Sequence, residues 1–162
     1  MLHMNNPQPL RAVGSATPQT VIYKSESHKL HQAFAVKKTE GVVDEIVPGQ
    51  PVKLNSDGTI SPYTGSGIYL GIAVTDSQNP CYPDGALGPE VTVMVEGFAI
   101  VYGKAKVGVS DMPCVYVNPA AKTANDIYTP YDVTASSGTT ESHFINLTPA
   151  ADAGDLIQVL VR

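Results

Sequence analysis

Glu90-Val91-Thr92-Val93-Met94-Val95-Glu96-Gly97-Phe98-Ala99-Ile100-Val101-Tyr102 is the longest run of strand chemistry in the chain, and its reading decides the fold. Val91, Val93 and Val95 alternate with Thr92, Met94 and Glu96, which places three β-branched side chains on one face and a more polar set on the other. Beyond Gly97 the apolar residues are continuous, so the second half is expected to be covered on both faces. Gly97 itself, lacking a Cβ, marks a bulge or a barrel corner where the backbone can bend. The rest of the chain is expected to pack on this ribbon.

Composition points the same way. Fourteen Gly and thirteen Pro, with 15% charged residues and no Trp among 162, describe a turn-rich β protein. A chain of this length buries roughly 70% of its unfolded surface, enough for a core that needs no staples. The expected fold is all-β: a compact antiparallel β-barrel or sandwich over residues 41–162, preceded by an extended N-terminal arm or wrap over residues 1–40. A net charge of −5, with Lys37-Lys38 as the only adjacent basic pair, argues against a nucleic-acid partner, which needs a clustered basic face. No window approaches the ~20 apolar residues of a membrane span, and the opening Met1-Leu2-His3-Met4-Asn5-Asn6-Pro7 lacks a basic region followed by an apolar one. No membrane partner is expected.

Along the chain, Pro7, Pro9 and Pro18 punctuate a polar leader in which Val21-Ile22-Tyr23-Lys24 is the only short strand candidate before Ala33. Such an arm hides too little apolar surface to fold alone, so it is either disordered or laid on something else, a neighbouring subunit included. Ser25 to Phe34 suits a short helix with His28, Lys29 and His31 on its surface. From Glu40 the punctuation is regular: Val42 to Val47 as a strand, a Pro48-Gly49-Gln50-Pro51 corner, Val52-Lys53-Leu54, an Asn55-Ser56-Asp57-Gly58 turn and Thr59-Ile60. Tyr63-Thr64-Gly65-Ser66-Gly67 feeds the strand Ile68 to Val74, and Asp76 to Pro89 reads as a long loop of the kind that carries recognition. Cys114 to Pro119 and His143 to Leu147 are further strands, separated by polar, small residues 120–142. Leu156 to Val161 closes the pattern with a strand apolar enough to require pairing inside a sheet.

The chemical constellations are thin, and no catalytic, cofactor-binding or metal-ligating residue is assigned; the chain is not expected to be an enzyme. His28-x-x-His31 has a spacing that can bring two imidazoles together, yet no third ligand accompanies it, and a solvated face is the plainer reading. Cys81 and Cys114 lack metal-ligand spacing and an adjacent histidine, and read as buried or idle thiols rather than a disulfide or a nucleophile. Gly65-Ser66-Gly67 misses the Gly-x-Ser-x-Gly nucleophile spacing. Asp76, Asp84 and Asp111 match no calcium loop. Asn146-Leu147-Thr148 fits a glycosylation sequon but falls in a predicted strand. Eight tyrosines are the one enrichment, with Tyr63, Tyr69, Tyr82, Tyr116, Tyr128 and Tyr131 beside turns or on strands. They suit either a binding surface or barrel-rim packing with a wet hydroxyl.

Over residues 40–117 the order of elements resembles the capsid decoration, or cement, proteins of tailed bacteriophages. The residues that carry the likeness are Gly41-Val42-Val43, Val47-Pro48-Gly49-Gln50-Pro51-Val52-Lys53-Leu54, Leu70-Gly71-Ile72-Ala73-Val74 and Val91-Thr92-Val93-Met94-Val95-Glu96-Gly97. These are fold motifs, not catalytic ones; the long leader and the tail after residue 118 depart from the commonest members. The resemblance implies a structural virion protein, made in the host cytoplasm, that sits on the outside of the assembled major capsid protein shell and stabilises contacts between neighbouring capsomers. Its expected partners are the major capsid protein and other copies of itself, a trimer among the possibilities. The alternatives are another virion component, such as a head fibre or tail adaptor, or a carbohydrate- or receptor-binding β module.

Overall fold

The computed structural model describes residues 30–78, 89–106, 115–124, 126–134, 141–148 and 152–162, together with the backbone of Val21–Tyr23. Among these residues there are strands and no α-helix. The first seven strands are β1 (Val21–Tyr23), β2 (Leu30–Ala35), β3 (Lys38–Thr39), β4 (Val42–Val43), β5 (Pro51–Leu54), β6 (Ile60–Pro62) and β7 (Ile68–Ala73). There follow β8 (Glu90–Glu96), β9 (Ala99–Ala105), β10 (Tyr116–Pro119), β11 (Thr129–Val133), β12 (Phe144–Asn146) and β13 (Leu156–Val161).

The long apolar ribbon is two strands, not one, and they belong to different sheets. Gly97, at φ 126°, holds a backbone conformation that a side chain would strain, and the chain turns there from β8 into β9. β9 pairs with β13 at six positions, from Leu156↔Lys104 to Val161↔Ala99. β13 pairs with β12, β12 with β10 and β10 with β11, all antiparallel. β11 then returns to β9 in parallel, through Thr129↔Gly103 to Tyr131↔Ala105, which closes a five-stranded barrel. β1 takes the remaining flank of β9 at Ala99–Val101. β8 lies in a second sheet, ordered β2-β8-β7-β5-β6. This sheet curls until Val36 bridges Ile60, where the Lys37 N–H donates to the Ile60 carbonyl at 2.9 Å.

Each sheet encloses its own core. Inside the closed barrel lie Val101, Val117, Tyr131, Phe144, Ile157, Val159 and Val161. The Tyr131 ring fits because β9 has no side chain at Gly103, where a Cβ would stand 2.4 Å from Tyr131 Cδ2. The curled sheet encloses Val36, Ile46, Val52, Ile60, Ala73, Val91 and Val93. Each such fully buried Val or Ile contributes about 1.5–3 kcal/mol by leaving water. The alternation along β8 therefore has two destinations. Val91 and Val93 face the curled sheet's core, while Met94, together with Ile72 of β7, faces outward and joins the barrel's core. Cover on both faces of β9 is as expected, since its first five residues are all buried.

Four local readings are corrected. Leu30 to Phe34 form strand rather than helix, because the segment pairs along β8 from Leu30↔Glu96 to Ala35↔Glu90. Residues 30–39, grouped by sequence with the arm, thus belong to the β fold; residues 1–20 lie outside the described residues. The strand expected over Val42 to Val47 stops at Val43, since Asp44 onward leaves the sheet to bury Ile46. Finally, the polar interval 120–142 hides β11, whose Tyr131 is fully buried. Pro130 disguised this strand; it is tolerated in the parallel ladder to β9.

Candidate functional site

A cleft among the described residues follows from how β7 meets β8. Their ladder consists of Ile72↔Met94 and Ala73↔Val93 and then stops. On its other side β7 takes an irregular register against β5, between Val52 and Lys53. The strands part toward the Gly97 corner and leave a cleft of about 610 Å³. Tyr69, Leu70 and Gly71 form one wall, and Met94, Val95 and Glu96 the other. Gly97 and Phe98 from the corner, with His143 and Arg162 from the barrel, complete it. Phe98 is 56% exposed, unusual for a large apolar side chain beside a cleft.

Aromatic packing holds this junction between the sheets. Tyr69 meets Phe144 edge-on at 5.2 Å, stacks on His143 at 4.8 Å and packs against Tyr63 at 5.4 Å. Phe144 in turn contacts Tyr131 at 5.7 Å, so a chain of rings runs from the cleft into the barrel. Such pairs contribute about 0.5–1.5 kcal/mol each beyond their burial. Burial, and then the neighbouring Tyr63, pushes the Tyr69 phenol well above its ordinary range, so it remains protonated at physiological pH. Tyr63 and Tyr69 thus serve packing between the sheets, and Tyr131 fills the barrel.

Arg162 is the fixed cation of the site. Its Nη2 donates to Glu141 Oε1 at 3.0 Å and to the Tyr116 hydroxyl at 3.3 Å, and its guanidinium lies 5.7 Å from the Tyr116 ring centre. The Arg162 amide donates to the His143 carbonyl at 3.1 Å, which ties both residues to the same strand pair. The Glu141 carboxylate is largely exposed, so this ion pair positions the guanidinium more than it stabilises the fold. The cleft thus combines apolar walls, a held cation and the exposed Glu96 carboxylate, groups that act by non-covalent contact.

The residues weighed from sequence are scattered. His31 lies on β2 opposite Met94, and His28 is outside the described residues. Ser66 sits in a turn between Gly65 and Gly67, both at positive φ. The Asp76 carboxylate accepts the Gln78 amide at 2.6 Å in a local turn. Cys81, Tyr82, Asp84, Asp111 and Cys114 fall outside the described residues. Asn146 is fully buried, its amide donating to the Thr148 carbonyl at 3.0 Å and its Oδ1 accepting the Thr148 N–H, so the sequon side chain is sequestered. Among the described residues no group of three or more His, Cys, Asp or Glu is placed to hold a metal ion, and no helix is long and apolar enough to cross a membrane. Sequence reasoning did not single out Phe98, His143 and Arg162 as neighbours, because a barrel closure brings them together; the one local signal was an aromatic directly after the corner glycine. Compared with models of known protein families and with curated proteins, the chain matches none.

Proposed function

We propose that this chain is a structural virion protein that binds the outside of an assembled bacteriophage capsid shell and stabilises contacts between neighbouring capsomers. The observation that carries this reading is the outer edge of β2. From Leu30 to Phe34 that edge carries no ladder among the described residues, for the bridge to Ile60 begins only at Val36. Its sequence, Leu30-His31-Gln32-Ala33-Phe34-Ala35, has no Lys, Glu or Pro, the residues that usually blunt an edge against pairing. The Val36 N–H donates to the carbonyl of Pro89, the residue just ahead of β8, so by strand alternation the main-chain groups of Ala33 face outward. An edge of this kind accepts a strand from a partner through main-chain hydrogen bonds. The twin-core body behind it supplies the stiffness that clamping requires, and the sequence's resemblance to decoration proteins supplies the partner class.

The test is co-sedimentation with capsid shells that lack the protein, read as copies per shell. Binding that saturates at a number tied to the lattice, with shells more resistant to heat, is the expected result. Ala33→Pro removes one outward N–H while sparing the β2–β8 bonds, and is expected to weaken shell binding about tenfold with little change in the melting midpoint. Failure of the unmodified protein to bind shells would overturn the reading in favour of a glycan- or receptor-binding module.

A further inference from the structure

We propose that the β3–β4 hairpin of one copy seats in the β7–β8 cleft of a second copy, so that the chain associates head to tail. This inference goes beyond the virion reading and does not depend on it. The hairpin is a short projecting finger, paired through Lys38↔Val43 and Thr39↔Val42. At its tip Val42 is 71% exposed, more than Leu30, Ile68, Phe98 or Ile127, the other exposed large apolar residues. Glu40 is the only non-glycine at positive φ among the described residues, at 52°, followed by Gly41 at 82°. A two-residue turn with both φ values positive favours asparagine at its first position, and another side chain there costs on the order of 1 kcal/mol. Glu40 at that cost, next to the exposed Val42, places a carboxylate and an apolar side chain together at the tip.

The cleft offers the complement of each group. Leu70, Val95 and Phe98, all partly or largely exposed, present apolar surface for Val42. Arg162 presents a guanidinium whose bonds to Glu141 and Tyr116 run through Nη2, which leaves the Nη1 N–H groups to donate to the Glu40 carboxylate. Glu96, exposed on the rim, offers a carboxylate to Lys38 of the incoming hairpin. A hairpin cannot fill its own cleft. β8 runs from Glu90, beside the Ala35 end of β2 that leads into the hairpin, to Glu96 at the cleft, a separation of roughly 20 Å along the strand. Knob and hole at opposite ends of one sheet make a heterologous contact, which closes into a ring or propagates.

The experiment is sedimentation velocity on the full chain across a dilution series, with shell binding measured separately. The expected result is a mass above monomer that falls on dilution. Val42→Asp on the knob and Phe98→Glu on the hole, both at exposed positions that leave the cores intact, should each raise the dissociation constant about tenfold or more. Mixed together, these two variants should form a dimer, since each retains the half the other lacks. The charge exchange Glu40→Arg with Arg162→Glu should recover association that either change alone removes. A chain monomeric at every concentration, or association untouched by both single variants, would overturn the proposal. Association in solution without shell binding would sink only the virion reading, whereas shell binding by a strictly monomeric protein would sink only this one.

Discussion

The barrel of β9–β13 and the curled sheet of β2 and β5–β8 close in different ways, and the difference separates frame from surface. The barrel is ringed by ladders, with six residue pairs between β9 and β13 alone, and aromatic rings fill it. The curled sheet meets itself at one bridge, Val36↔Ile60, and parts between β7 and β8. Its described core is aliphatic apart from Phe34, which packs at its margin. Branched aliphatic side chains tolerate small shifts of a loosely sealed wall, whereas a buried ring fits only one shape. The cleft, the open edge of β2 and the projecting hairpin all lie on the loosely sealed side. The barrel holds the junction steady through the ring chain from Tyr131 to Tyr69.

The largest expected effect tests the barrel's close fit. Gly103→Ala places a methyl group against the Tyr131 ring and should cost about 2–3 kcal/mol, read as a lower denaturant midpoint with an unchanged slope. A loss below about 0.5 kcal/mol would mean that the barrel yields as readily as the curled sheet, and the contrast would fail.

A matched pair of smaller deletions sharpens it. Ile157 lies in the ringed barrel and Ile60 beside the single bridge, and both are completely buried. Loss of one methyl group from such a site costs about 0.5–1.5 kcal/mol, depending on how far the surroundings collapse. Ile157→Val is expected near the upper end and Ile60→Val near the lower, because the seam at Val36 can close the gap. The reverse order in chemical denaturation would break the comparison.

How much of this was legible in the sequence depends on the range of the contacts involved. The Gly97 corner, the Asn55 to Thr59 turn and the strands at Val52, Ile68, Val117 and Leu156 rest on alternation and turn chemistry within a few residues, and they stand where expected. The pairing of β13 inside a sheet followed from its apolar character, and it is flanked by β9 and β12. The division into two sheets was not legible, because nothing in the local pattern of residues 90–102 distinguishes a bent strand from two strands that part company. β11 was missed because Pro130 and Asp132 masked the alternation of Thr129, Tyr131 and Val133, all on one ladder with β9 or β10. The cleft escaped for a related reason: Tyr69, Phe98, His143 and Arg162 meet only through β7, the corner and the barrel closure.

The smallest expected effect concerns the parallel seam of the barrel, where Asp126 fastens the chain entering β11 to β9. Its carboxylate accepts the Thr123 amide and hydroxyl, each at 2.9 Å, and Lys104 Nζ at 3.1 Å. The Thr123 bonds first, and Lys104 after them, hold the carboxyl down at about 2, below its ordinary value of 3.8. A carboxyl depressed on folding adds stability that is complete above the unfolded value and is lost as pH falls through the folded one. Asp126→Asn should therefore lower the melting midpoint slightly at neutral pH, with the gap from the parent protein closing between about pH 4 and pH 2. Lys104, the partner of the pair, is partly exposed and so screened by solvent ions, and the gap should also shrink in high salt. A gap that persists unchanged to pH 2 would show that the substitution acts through the shape of the turn and not through the charge. The seam would then owe its closure to the Thr129–Tyr131 ladder alone.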